Sequence, residues 1–239
     1  MNTGRVLSVQ AGRSADLGVG RRTVRTAIDK RAVAGRVAVH SLGLAGDEQA
    51  DQKNHGGVDQ AVYVYAREDL DFWTEQTGLD LRNGVFGENL TTAGVDVTGA
   101  LIGETWRIGE VVAQVTSPRI PCSVFASWMD QQHWVKRFAA AGRPGAYLRV
   151  LREGTIGAGD DIEILDRPAE RVTIAEAMRA FYGDADLMAV LLTVPGRGAA
   201  WDEVGAEVLA RAGRTPAVPG EPAVPGGTVP ASMAAGQAG

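Results

Sequence analysis

Over its first two thirds the chain alternates short apolar runs with glycine-rich turns, and then it changes to a helical period. Alternation of apolar and polar positions turns one face of a strand to a core and the other to solvent. By that pattern Gly4–Gln10, Gly35–His40, Ala61–Tyr65, Thr105–Ile108, Val111–Thr116, Tyr147–Leu151 and Asp161–Leu165 read as strands of about five residues. Many short strands punctuated by glycine predict a mainly β barrel or sandwich with added α, not repeated βαβ units. Two helices interrupt it. Arg67–Thr77 carries Leu70 and Trp73 at helical spacing and stops at Gly78, and Phe125–Ala141 carries Trp134 and Phe138 and stops at Gly142.

Beyond Asp166-Arg167-Pro168 the apolar spacing is helical. Thr173 and Glu176 have the spacing of a capping box, in which each side chain satisfies an orphan N–H of the first turn, and a helix to Tyr182 is expected. A second helix follows over Asp186–Thr193, and a third over Ala199–Arg211 puts Trp201, Val204 and Val208 on one face. Three short helices hold too little core to stand alone, so their stripe is expected to seal against the barrel or a second copy, as in a homodimer. From Thr215 the repeated Pro-Ala-Val-Pro-Gly and the closing Ala/Gly stretch lack the bulk to offset ordering entropy, which predicts disorder. The pattern divides the chain into a barrel over 1–168, a helical unit over 169–213 and a tail over 214–239.

With 45% hydrophobic and 22% charged residues, the composition excludes wholesale disorder and fibrous architectures. A net charge of −5 argues against a general affinity for nucleic-acid backbone. No apolar stretch approaches bilayer length, and Met1–Val6 lacks the apolar core of a secretory signal. The expected location is the cytoplasm, whose reducing conditions suit a chain with a single cysteine.

That cysteine, Cys122, ends the segment Ser117-Pro118-Arg119-Ile120-Pro121-Cys122 directly after a strand. Two prolines stiffen the loop, and Arg119 supplies a fixed cation that favours a nearby thiolate. Two readings stand open: a small buried hydrophobe, or a rigidly presented metal ligand or nucleophile. The stretch Gly43–Asp51 leads to Asn54-His55-Gly56-Gly57, where paired glycines can aim successive N–H groups at an anion or can form an ordinary turn. His55 is a candidate site residue or a hydrogen-bonded structural one. Three scattered histidines and one cysteine give no tetrahedral zinc set. Asn89 and Thr91, within Gly84–Thr92, offer polar groups for the edge of a heterocycle, or capping chemistry. Arg25 and Lys30 hold phosphate or form a solvated face.

Five motifs in order, Arg25–Lys30, Leu42–Asp51, Asn54–Gly57, Phe86–Thr92 and Ser117–Cys122, resemble the YiiM-like branch of the MOSC-domain family. The similarity spans most of residues 1 to 213, because that branch also carries three helices after its barrel. It implies a β-barrel that binds the molybdenum cofactor, a phosphorylated molybdopterin whose dithiolene holds the metal, with Cys122 as the protein thiolate to molybdenum. Arg25, Lys30, His55, Gly56, Gly57, Asn89, Thr91 and Arg119 then become candidates for pterin and phosphate contacts. The implied activity is reduction of N-hydroxylated compounds such as hydroxylaminopurines, hydroxylamines and N-oxides, with electrons from separate redox proteins. Asn54 stands where relatives often have histidine, and Glu104 where aspartate is common. The resemblance also admits a sulfur carrier that bears a persulfide on Cys122. Pyridoxal phosphate is not expected, because nothing here resembles the lyase module that binds it.

Overall fold

In the computed structural model, which describes residues 4–50 and 56–214, β1 (Gly4–Ala11) opens the chain. A hairpin of β2 (Ala15–Val19) and β3 (Arg22–Thr26) follows, then the short strands β4 (Arg31–Ala32), β5 (Val37–His40) and β6 (Gly43–Leu44). Next come β7 (Val62–Ala66) and helix α1 (Arg67–Thr77). β8 (Leu90–Ala93), β9 (Thr105–Ile108) and β10 (Val111–Pro118) lead into α2 (Ser123–Met129) and α3 (Trp134–Ala141). β11 (Ala146–Arg152), β12 (Gly154–Ile156) and β13 (Asp161–Asp166) precede α4 (Ile174–Phe181), α5 (Ala185–Leu191) and α6 (Trp201–Arg211).

The main sheet runs β13-β9-β10-β11-β7-β8-β1-β4, and β13 also pairs with β1. That pairing, Gly4 opposite Ile162 and Arg5 opposite Asp161, closes the seven strands from β13 to β1 into a barrel and leaves β4 outside it. All of its pairs are antiparallel except β7 with β8. Closure removes the unpaired strand edges that would otherwise template aggregation. The expected β-rich barrel with added helices is the observed architecture.

β7 explains how the barrel supports a second layer. All five of its residues are buried, and period-2 geometry divides them. Val62 and Val64 join Val6, Leu90, Trp106, Val115 and Leu148 in the barrel core. Tyr63 and Tyr65 point the other way, into an aromatic cluster with Trp73, Phe86, Phe125, Trp134 and Phe138 from α1, α2, α3 and the turn before β8. The ring of Phe86 meets those of Tyr65, Trp73, Phe125, Trp134 and Phe138 at centroid separations of 5.0 to 6.5 Å, mostly edge to face, as the ring quadrupoles prefer.

The stretch read from sequence as one helix, Phe125–Ala141, is two. Asp130 (φ 47°) and His133 (φ 55°) both adopt left-handed backbone torsions, which terminates α2 and restarts the chain as α3. The apolar spacing survives the break because Phe125, Met129, Trp134 and Phe138 all face the same cluster. The capping box is present, with Thr173 Oγ1 accepting from Glu176 N at 3.1 Å and Glu176 accepting from Thr173 N at 2.9 Å. The stripe of the last three helices packs on the barrel: Ile174, Met188, Leu191, Trp201 and Leu209 share one cluster with the barrel residues. Trp201 Nε1 donates to the Thr116 carbonyl at 3.0 Å. Of the tail, residues 215–239 lie outside the described residues. None of the described helices is long and apolar enough to cross a membrane.

Candidate functional site

A cavity of about 130 Å³ opens on the face of β7 and β11 turned away from the barrel core. Tyr63 and Tyr147, paired across those strands, form part of its wall, with ring centroids 4.9 Å apart. Along another side runs the β2–β3 hairpin with the segment that follows it, contributing Arg25, Ile28 and Lys30. The Phe86–Asn89 turn and the Arg119–Cys122 loop complete the lining. The structure thus brings together Arg25, Lys30, Asn89, Arg119 and Cys122, from three separate stretches of the sequence.

Local geometry fixes each of them. Cys122 is half-buried at the N-cap of α2 with an extended backbone (φ −128°, ψ 176°), set by the prolines at the end of β10 and just before it. Trp128 on α2 donates from Nε1 to the Val85 carbonyl at 2.7 Å, which ties the cysteine's helix to the turn on the opposite wall. That turn needs glycine. Gly84 (φ 83°) lies so close to the segment carrying Lys30 that a Cβ would stand 2.7 Å from the Lys30 carbonyl oxygen.

The charges of the site are unequal in their freedom. Lys30 Nζ is ion-paired with both carboxylate oxygens of Asp47, with Oδ2 at 2.6 Å, and both side chains are nearly buried. Asp47 also accepts from Gly12 N at 2.7 Å and Asn89 Nδ2 at 2.8 Å. Asn89 in turn accepts from Tyr63 N through Oδ1 at 3.1 Å, so its amide is engaged at both ends in joining β7 to the Asp47 loop. Arg25 is exposed and 3.6 Å from Asp16. The Glu48 carboxyl is held below its ordinary range, chiefly by hydrogen bonds from Ser14.

Arg119 differs from these. It is 5% exposed, its guanidinium lies 3.6 Å from the Phe125 ring centre, and it makes no ion pair among the described residues. Its buried Nη1 has no hydrogen-bond partner there. A buried donor left unmatched costs about 1–3 kcal/mol, more when charged, so the cavity holds a cation lacking an acceptor. Burial raises Tyr147 above its ordinary phenol range and Tyr63 well above it; Arg119 opposes both shifts. Both rings therefore face the cavity as neutral phenols across the physiological range.

The remaining candidates fall elsewhere. Thr91 is buried and does not line the cavity; it donates to Glu88 at 3.0 Å and lies 3.1 Å from the Gln10 amide. Gly57 (φ 80°) donates to Gln49 Oε1 at 3.2 Å and begins a short 3-10 helix, Val58–Gln60, whose Gln60 reaches the cavity; Gly56 precedes it. His55 lies outside the described residues. Asp47, Tyr63 and Tyr147 are site residues that sequence reasoning passed over. The one available signal was the all-apolar run Val62–Ala66, which implies a strand buried on both faces.

Comparison with known proteins agrees with this architecture. Residues 51–163 match the model of the MOSC domain. The chain is 38% identical over 180 residues to the uncharacterized protein YflK of Bacillus subtilis, covering 75% of this chain and 81% of that protein. It is 33% identical over 180 residues to a protein of Gibberella moniliformis named "Reductase", covering 74% of this chain but 32% of that longer protein. The crystal structure of YiiM from Geobacillus stearothermophilus superposes with a TM-score of 0.72 at 29% identity, covering 86% of this chain and 99% of that one. The match to the MOSC model, the identity to curated relatives and the superposition on YiiM over nearly its whole length together show that the chain belongs to the MOSC-domain family, in its YiiM-like branch.

Proposed function

We propose that this protein is a molybdenum-cofactor-dependent oxidoreductase that reduces N-hydroxylated compounds, with Cys122 as the protein ligand to the metal. The observation that carries the reading is the buried Nη1 of Arg119, without an acceptor among the described residues, in the same cavity as the chain's only cysteine. An anionic cofactor that also presents a soft metal satisfies both groups at once. Such a cofactor supplies two-electron oxygen-atom chemistry when bound. The described residues hold no cluster of three metal-ligating side chains, so the cofactor, through a dithiolene, would supply the remaining ligands beside Cys122.

The chain's own residues would then bind and orient. Arg119, its plane fixed against Phe125, would donate to the anionic part of the cofactor. Lys30, held by Asp47, and the more exposed Arg25 would contact the phosphate, Arg25 the more freely. Asn89 would act through Asp47, and Thr91, His55, Gly56 and Gly57 are the further candidates for cofactor contacts. Tyr63 and Tyr147 exclude water from one wall. Reduction of a hydroxylamine, R–NHOH, to R–NH₂ and water consumes two electrons and two protons, and separate electron-transfer proteins would deliver the electrons.

The test is to purify the protein from a host that makes molybdopterin, measure molybdenum and pterin, and repeat with Cys122→Ser. Near-stoichiometric metal with hydroxylamine reduction in the parent, and loss of both the thiolate-bound metal and turnover in a folded variant, is the expected result. A metal-free parent that carries a transferable persulfide on Cys122 would instead identify a sulfur carrier.

A further inference from the structure

The N–O cleavage proposed above releases a hydroxyl oxygen, and hydroxide is a poor leaving group unless a proton meets it. Few acidic groups along the Cys122 cavity have one to give. The Glu48 carboxyl, held below its ordinary range, is already ionised at neutral pH. The Arg119 guanidinium does not deprotonate in proteins, and Lys30 is bonded to Asp47. Two phenols on one wall are left, and they are not equivalent.

Tyr63 and Tyr147 stand opposite each other on β7 and β11, with ring centroids 4.9 Å apart. Tyr63 is buried, and its Oη donates to the Pro144 carbonyl at 2.7 Å, so its proton is engaged in the wall. Tyr147 is only half-buried, and its hydroxyl makes no hydrogen bond among the described residues. The charged groups that act on that hydroxyl are Arg119, which favours phenolate, and Cys122, which opposes it. Both are the groups assigned above to the cofactor.

We propose that Tyr147 is the proton donor of the reaction, delivering the hydrogen of its Oη to the oxygen that leaves the substrate nitrogen. The inference rests on the reductive reading given above. R–NHOH takes up two electrons that originate in the separate electron-transfer protein, and the N–O bond breaks. The oxygen leaves as water with the Tyr147 proton, the nitrogen takes a second proton from solvent, and the phenolate regains its own from solvent. Each turnover thus consumes two electrons and two protons. A phenol suits the step. An ordinary value of 10.0, raised here by burial, keeps the proton in place at neutral pH, while water ionises only near about 15.7, which makes departing hydroxide a far stronger base than phenolate. Arg119 then steadies the phenolate left behind.

The test uses the full-length protein loaded in a host that makes molybdopterin. Tyr147→Phe keeps the ring that closes the wall and removes only the hydroxyl. Its molybdenum and pterin content should equal the parent's, while hydroxylamine reduction slows about 100-fold or more, the usual worth of a general acid. Tyr147→3-fluorotyrosine, more acidic and still a phenol, should recover most of the parent rate. In full-length protein made without molybdopterin, the fluorine NMR signal of that residue should titrate, and Arg119→Met should move its midpoint upward, because the cation it removes favours phenolate. Full turnover in Tyr147→Phe with normal metal content overturns the proton donor and leaves the oxidoreductase reading standing. Metal lost along with turnover would make the hydroxyl a cofactor contact, and it overturns the proposal too. So does a fluorotyrosine enzyme as slow as Tyr147→Phe, or a midpoint that Arg119→Met leaves unmoved. A parent that never acquires molybdenum overturns the oxidoreductase reading itself, and this step with it.

Discussion

The Arg119 guanidinium rests 3.6 Å from the centre of the Phe125 ring, three residues on each side of Cys122, so one side chain of the loop is stacked on the first turn of the helix the loop starts. The stack fixes a flat, charged donor without using its hydrogens. Arg119→Lys keeps the charge and loses the plane, while Arg119→Met loses both. Pterin content per molecule should fall in the order parent, Arg119→Lys, Arg119→Met, with the affinity of the last reduced about tenfold or more, the loss of one charge-assisted bond. Equal pterin in all three would remove Arg119 from the binding site.

Lys30 and Asp47 form a nearly buried pair, and removing one partner leaves the other charged and desolvated. Asp47→Asn should cost about 3 kcal/mol in chemical denaturation. Adding Lys30→Met to it should restore more than half of that loss, since an apolar side chain needs no counter-ion. Strictly additive losses would show that the two residues do not couple.

Glu88 is fully buried, and desolvation raises its pKa above the ordinary value of 4.5 despite hydrogen bonds from Gly84, Phe86 and Thr91. The folded state therefore binds this proton more tightly than the unfolded one. The associated stability is complete below pH 4.5 and is lost as pH rises through the folded pKa. Glu88→Gln cannot titrate, so the stability of the parent relative to this variant should decline with rising pH above 4.5 and then level off. A pH-independent difference between the two would contradict the assignment.

Asp130 ends α2 with φ 47°, a conformation that costs a non-glycine residue about 1 kcal/mol. It is exposed and makes no ion pair among the described residues, so Asp130→Gly should raise Tm by a few degrees and leave cofactor content unchanged. A lower Tm would mean that the aspartate stabilises the break.

Sequence periodicity found the strands whose two faces differ, such as Val111–Thr116 in β10, and the helices with sharp caps, such as Thr173–Glu176. It passed over β2 and β3, where Ala15–Val19 and Arg22–Thr26 are mostly exposed and hold few apolar residues to alternate. It merged α2 with α3 because the apolar spacing carries across two left-handed residues that are neither glycine nor asparagine. In the site, Cys122 and Arg119 were legible because a proline frame isolates them. Asp47 was not, since its role depends on Lys30, Gly12 and Asn89 converging from three separate segments. Tyr63 and Tyr147 resemble core residues in sequence, and only pairing β7 with β11 puts them on one wall.

The pairing of Gly4 with Ile162 joins strands more than 150 residues apart, and it has a consequence for how the protein is made. A chain emerging from a ribosome can form the β9–β10 and β10–β11 hairpins early. Its first strand can pair with β8 as soon as that strand is made, but the barrel cannot close until β13 follows, and the edges of β1 and β9 that β13 covers stay open in the interval. Synthesis at about 5–20 residues per second makes that interval seconds long, ample time for an open strand edge to find the wrong neighbour. Yield during expression should therefore respond more to the speed of translation and to chaperone supply than the stability of the finished fold would suggest.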